Sequence, residues 1–369
     1  MKILEFESGD IQHPFFKNKS KCLVLNDVYY RLVGDRAEVY YENKRLYGFI
    51  NRDYKNADVL YWGREKEVDL YFGEIQPQLS VNEEIDSLFL LYDDYEWQYA
   101  HFVMDSFPKL WYWIKLQETE HIKIGINNLI ECPCKTVDMT DKVKYNTSFI
   151  YEYIDLYLKR YNLNYKDNVK LLDRNKCYFI KRLIIPIPYQ SVDTGLYPYR
   201  SWEMLDILKR DIPISMEYEN IYISRKDVSS KKWMHYRVLL NENDIINKLN
   251  EVGFREIQLM NYSVEEKIQI FKSAKKIIQT VGSNCYNLRF IEPKTWCCIL
   301  YHPEYYCWSD DLHRIVNYKN GVYKEYIDSC KVVDNSNSYY PDEYNTMKKK
   351  IDSPWKFTDI DNLVKETII

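Results

Sequence analysis

Three short stretches of the sequence combine residue types that can move protons or hold phosphate. In the first, His101 and Asp105 stand four residues apart within an aromatic run that begins at Trp97. On an α-helix this spacing puts both side chains on one face, where a carboxylate raises the basicity of an imidazole and fixes its tautomer. Such a dyad can take a proton from a hydroxyl, with either His101 or Asp105 as the base, and it can equally be a core histidine with a satisfied polar partner. In the second, Ser224, Arg225 and Lys226 follow a short apolar run, and a guanidinium fork there can clasp a diphosphate bidentately. In the third, Gly282, Ser283 and Asn284 precede a short helical segment. Glycine lets the backbone approach an anion closely, and the unpaired N–H groups of a helix N-terminus attract one. The plainer readings are a solvated turn for the second stretch and an ordinary helix cap for the third.

Other candidates carry less. Asp93 and Asp94 can hold a divalent cation, or simply cap a strand with a solvated turn. Neither Cys132 and Cys134 nor the adjacent Cys297 and Cys298 has a partner pair at metal-ligand spacing, so reduced thiols and no metal site are expected. His302 and His313 stand alone. Trp97, Tyr99, Trp111 and Trp113 can stack on sugar rings, but helical spacing makes them core residues first. Glu242 either anchors a ribose or an acceptor, or caps a helix starting near Asp244.

The elements that must position these residues differ between the halves. Alternating apolar residues over about 22–49 predict hairpin strands, and an apolar strand at 88–92 leads through a polar turn into a helical pattern at about 97–116, broken at Pro108. Strands at 122–126, 169–172 and 178–186 and a helix at 149–161 complete an α/β half. The proline-containing stretch 186–213 breaks the pattern and divides the chain into a first domain over 1–195 and a second over 196–335. In that second domain strands at 219–224, 255–259, 276–281 and 296–301 alternate with helices at 244–252, ended by Gly253, at 263–273, opened by the capping box of Ser263 and Glu266, and at 285–291. This alternation predicts a parallel, doubly wound sheet, in which ligands collect beyond the carboxyl ends of the strands, where Arg225 and Gly282 fall. A tail at 336–369 ends in an amphipathic helix expected to pack back toward the first domain.

The chain has 369 residues, 29% of them charged, a formal net charge of −4 and a pI near 6.0, so nothing in its global charge recruits nucleic acid. No run approaches the roughly 18 to 20 apolar residues that span a bilayer, and no signal-like apolar stretch opens the sequence, which predicts a cytoplasmic location. Nine cysteines suit reduced thiols. The use of 36 tyrosines but only ten glycines points to an AT-rich genome, such as that of a giant DNA virus or a low-GC bacterium.

Residues 221–227 (Ile-Tyr-Ile-Ser-Arg-Lys-Asp), 237–242 (Arg-Val-Leu-Leu-Asn-Glu), Gly253-Phe254 and 281–290 (Val-Gly-Ser-Asn-Cys-Tyr-Asn-Leu-Arg-Phe) form an ordered series that resembles glycosyltransferase family 61. Residues 97–110, with the His101 and Asp105 pattern followed by Pro108 and Leu110, resemble the family's N-terminal motif more loosely. The resemblance implies a GT-B-like architecture of two Rossmann-like domains facing a cleft, and an inverting transfer from a nucleotide sugar to a hydroxyl of a glycan or glycoconjugate, with no obligatory metal or cofactor. Members span xylosyl, arabinosyl and N-acetylglucosaminyl transfer, so the implied donor is a UDP-sugar such as UDP-xylose or UDP-GlcNAc, with a GDP-sugar as the rival. Carried over residue by residue, Ser224, Arg225, Arg237, Glu242, Gly282, Ser283, Asn284 and Asn287 serve the donor, and His101 and Asp105 the chemistry. This sequence departs from the pattern at Val281, where the family has histidine, and at Ser283 and Asn284, where it has alanine and glycine. That departure carries the alternative of an inactive relative acting as a glycan-binding or assembly factor.

Overall fold

The computed structural model describes residues 2–6, 20–33, 36–47, 71–75, 77–91, 99, 102–128, 148–174, 176–186, 199–226, 238–303, 309–327, 329–332 and 355–368. They form two compact units, Met1–Ile207 and Leu208–Ile369.

The first unit is built on one mixed sheet. Strands β1 (Lys2–Phe6), β2 (Ser20–Val33), β3 (Arg36–Tyr41), β4 (Lys44–Tyr47), β5 (Tyr71–Ile75), β6 (Glu83–Ile85), β7 (Leu88–Leu90), β8 (Lys123–Asn127), β9 (Val169–Leu172) and β10 (Cys177–Pro186) follow one another in sequence. In space the order is β5-β4-β3-β2-β10-β7-β8-β9, with β1 beside β2 and β6 beside β10. The run from β10 to β9 is parallel, and the meander from β2 to β5 is antiparallel. The unit is therefore β-rich at its start, as the alternation predicts, and its parallel part comprises β10 with β6 and β7 beside it, then β8 and β9. Its core exposes a pleat change. On β2 the inward side chains are Leu23 and Leu25, then Val28, Tyr30 and Leu32; opposite them on β10 stand Ile185 and Leu183, then Ile180 and Tyr178. Both strands switch phase at the same place, where Asp27 takes a left-handed φ of 53°.

Beyond β7, Pro108 does what proline does to a helix. The chain runs through a π-helical turn (Phe102–Ser106) and a 3-10 turn (Phe107–Lys109) before settling into α1 (Leu110–Gln117). Helices α2 (Ser148–Arg160) and α3 (Tyr165–Asn168) follow. Trp111 and Trp113 are core residues, and the Trp113 indole N–H donates to the Ile122 carbonyl at 2.7 Å.

Helix α4 (Tyr199–Lys209) spans the division between the units. The main sheet of the second unit has five described strands, β11 (Asn220–Ile223), β12 (Arg255–Ile257), β13 (Lys276–Thr280), β14 (Trp296–Leu300) and β15 (Val322–Tyr326), all parallel, in the order β12-β11-β13-β14-β15. The predicted parallel sheet is present, and its order reverses between β11 and β13. Helix α5 (Glu242–Glu251) packs Ile245, Ile246 and Leu249 on the face that carries Tyr222, Ile278, Cys298 and Leu300. It ends in a paired cap: Gly253, at φ 86°, donates its N–H to the Asn250 carbonyl, and Phe254 donates to that of Leu249. Helix α6 (Val264–Ser273) opens with the expected capping box of Ser263 and Glu266. Helix α7 (Ser309–Tyr318) precedes β15.

The C-terminal segment belongs to this second core. Strands β16 (Cys330–Val332) and β17 (Trp355–Phe357) pair antiparallel, and helix α8 (Ile360–Ile368) buries Leu363 in the cluster that holds α5. Lys276 Nζ donates to the Thr367 carbonyl. The helix expected to reach toward the first domain thus finds its partners in its own unit, because Trp355, Phe357 and Leu363 complete the apolar layer over Tyr222 and Cys298. No described helix is long and apolar enough to cross a membrane.

Candidate active site at the strand-order reversal

Where neighbouring strands are followed by crossovers in opposite directions, their carboxyl ends separate and leave a crevice. In the second unit this falls between β11 and β13, and two of the three chemical stretches end there. Arg225, just past β11, sends Nη1 across to donate to the Val281 carbonyl at 2.8 Å. Its guanidinium lies against Gly282: a Cβ on that residue would come within 2.8 Å of Nη1. A side chain at 282 would therefore have to displace the end of the Arg225 side chain from its place against the turn.

Behind this bridge stands Glu242, at the start of α5. Its Oε1 accepts from the Arg225 backbone N–H at 3.1 Å and from the Tyr222 hydroxyl at 3.1 Å. It is 7% exposed. Burial raises the pKa of its carboxyl, opposed by the hydrogen bonds from the Arg225 N–H and the Tyr222 and Ser224 hydroxyls and by the charge of Lys226. In the structure Glu242 braces the turn that carries Arg225. Ser224 is fully buried, and its hydroxyl accepts from the Lys226 N–H at 3.2 Å. Lys226 Nζ reaches Glu256 Oε1 at 3.3 Å.

The residue before Glu242 does related work. The Asn241 side chain makes a two-bond pair with the β17 backbone, donating to the Phe357 carbonyl at 2.7 Å and accepting from the Phe357 N–H at 3.1 Å. Adjacent asparagine and glutamate thus tie the same helix start to the C-terminal segment and to the β11 exit. Tyr222, Asn241 and Glu256 were not singled out by sequence reasoning; the Asn-Glu pair at the head of an amphipathic helix was the available signal.

At the β13 exit, Gly282 takes the cap position of a 3-10 helix (Ser283–Phe290), and no side chain closes the cap. Ser283 is exposed and Asn284 half-buried. Asn287 is buried and donates to the Asn284 carbonyl at 2.9 Å, which makes it a brace of the helix. Just upstream, the Gln279 amide and the Thr280 hydroxyl are buried without a hydrogen-bond partner among the described residues. Cys297 and Cys298 are buried on β14, and burial raises both thiol pKa values, so they are packing groups. Successive strand residues face opposite ways, which puts the two sulfurs on opposite faces of the sheet. Among the described residues no three His, Cys, Asp or Glu side chains cluster as a metal site would. His302 is fully buried beside Trp355, and His313 is exposed, within 3.0 Å of the Asn317 amide.

Arg237, His101, Trp97 and the Asp93-Asp94 pair fall outside the described residues. Asp105 lies in the π-helical turn Phe102–Ser106. In the same unit Phe102, Phe107, Phe149 and Tyr153 form an aromatic cluster, and the hydroxyls of Tyr99 and Tyr153 are 2.8 Å apart.

The described architecture defines a mixed α/β protein whose second unit is a parallel sheet with an arginine and a glycine turn meeting at its reversal. A family model described as Glycosyltransferase 61 matches residues 99–299, more than half of the chain, and the chain belongs to that family. It is a glycosyltransferase. No curated protein matches it.

Proposed function

We propose that this glycosyltransferase has a GT-B-like architecture and moves a sugar, with inversion, from a nucleotide diphosphate donor to a hydroxyl of a glycan or glycoconjugate, without a metal. The donor proposed is a UDP-sugar such as UDP-xylose or UDP-GlcNAc. The observation that carries the reading is the Arg225 guanidinium joined to the Gly282 turn across the β11/β13 crevice. A fixed guanidinium beside a helix start is a preorganised acceptor of the negative charge that develops on a departing diphosphate. His101, with Asp105, takes the proton as the acceptor hydroxyl attacks the anomeric carbon from the opposite face. The binding-only alternative rests on Val281. Its backbone carbonyl, not its side chain, meets Arg225, so the substitution leaves that bridge in place and supports an active donor site.

The test is a thermal-shift series with UDP, GDP, CMP and their sugars on the wild type, Arg225→Ala and Arg225→Lys. One nucleotide raises the melting temperature of the wild type, because a ligand that binds only the folded state stabilises it. Arg225→Ala weakens that nucleotide roughly tenfold to a hundredfold, and Lys, a point charge without the fork, recovers only part. No shift by any nucleotide at millimolar concentration overturns the donor site.

A further inference from the structure

A ligand held at the reversal between β11 and β13 extends along the carboxyl ends of the strands toward β12 or toward β14. The two directions differ. On the β14 side the described exit residues Tyr301 and His302 are fully buried, and the His302 ring stands 5.9 Å from Trp355 in an edge-on contact. On that side the C-terminal segment packs Trp355 against His302. On the β12 side the residues are polar and reach solvent: Lys226 and Glu256 keep 34% and 24% of their side-chain surface exposed. Gln258 Nε2 donates to Glu256 Oε1 at 3.1 Å, while Lys226 Nζ lies 3.3 Å from the same oxygen and 3.5 Å from Oε2.

Resting on the nucleotide-donor reading, we propose that Glu256 is the ribose-binding residue of the site, accepting hydroxyls of a ribonucleoside diphosphate whose phosphates lie at Arg225 and Gly282. An ionised carboxylate only accepts hydrogen bonds and has about four lone-pair positions. Gln258 and Lys226 orient it and leave acceptor capacity, most of it on Oε2. A vicinal diol presents two donors to such a group. Lys226 follows Arg225 directly and its Nζ reaches Glu256, so the oriented carboxylate stands on the strand next to β11, on the open side of the proposed phosphate site. A deoxyribose has one donor fewer and leaves part of the carboxylate unanswered.

The experiment is isothermal titration of the full chain with UDP and GDP and with their 2′-deoxy and 3′-deoxy counterparts, on the wild type and on Glu256→Gln. Wild type prefers the ribonucleotide by about tenfold or more over at least one deoxy form. Glu256→Gln binds the deoxy form as wild type does, which shows an intact site, but has lost most of the preference. Wild type that binds ribo and deoxy forms equally overturns the inference while leaving the donor reading standing, and this result needs no variant. A variant that still discriminates as the wild type does overturns it as well. Wild type that binds neither UDP nor GDP removes the donor reading and this inference with it.

Discussion

The Glu242 carboxylate directs its acceptor capacity at the protein itself. Tyr222 and the Arg225 backbone both donate to one of its oxygens, and burial raises its pKa above the value of about 4.3 that glutamate has in an unfolded chain. Between those two values the folded protein retains a proton that the unfolded chain has released, so the Glu242 contribution to stability falls as pH rises through that window. Gln at 242 keeps an acceptor oxygen for Arg225 and removes the titration. The stability of Glu242→Gln relative to wild type therefore improves as pH climbs from about 4 toward the raised value, which urea unfolding at a series of pH values measures. A difference that stays flat with pH contradicts the assignment. At this scale the sequence was legible where chemistry is local: Arg225 and Gly282 were chosen for what a guanidinium and a glycine can do, and the fold brings them together. The role of Glu242 was not legible, because the partner that defines it, Tyr222, lies 20 residues away and its hydroxyl gives no periodic signal.

At the scale of elements, caps carried the most information. Ser263 with Glu266 and the glycine at 253 were readable because each is a local hydrogen-bonding pattern that needs only neighbouring residues. Gly253 also yields a clean prediction. Its φ of 86° is disfavoured for residues with a side chain, while a Cβ there would meet nothing within 4 Å. Gly253→Ala therefore suffers backbone strain without a clash and loses about 1 kcal/mol of stability, read from the denaturant midpoint. A loss well above that means the cap holds more than the end of α5. The irregular elements escaped for physical reasons. Pro108 announced a break, but whether the preceding turn widens to π or tightens to 3-10 depends on how Phe102 and Phe107 pack against Tyr153, which is a tertiary matter. The pleat change at Asp27 escaped likewise, because it makes sense only when the matching change at Lys181 on β10 is seen.

At the scale of the whole molecule, the parallel sheet of the second unit followed from alternating strands and helices, while the reach of its C-terminal segment did not. β17 is a three-residue strand and carries no pattern of its own, yet it supplies Trp355 and Phe357 to the core under α5. Removing residues 355–368 strips these rings and Leu363 from that core. The expected cost to the second unit exceeds about 3 kcal/mol, the scale of losing one large buried ring. Calorimetry of the shortened chain should show the second unit's transition displaced to lower temperature or absent; unchanged melting would falsify the packing argument.

The Asn241 pair with Phe357 joins positions 116 residues apart. During synthesis, β11, Arg225 and Glu242 leave the ribosome well before the strand that Asn241 grips, so this unit cannot mature strand by strand as it emerges. Closing so long a loop comes late and slowly. Until it closes, a nascent chain bears the arginine and glycine of the crevice on an open, apolar sheet, and is at its most vulnerable to aggregation in the interval before its last strand arrives.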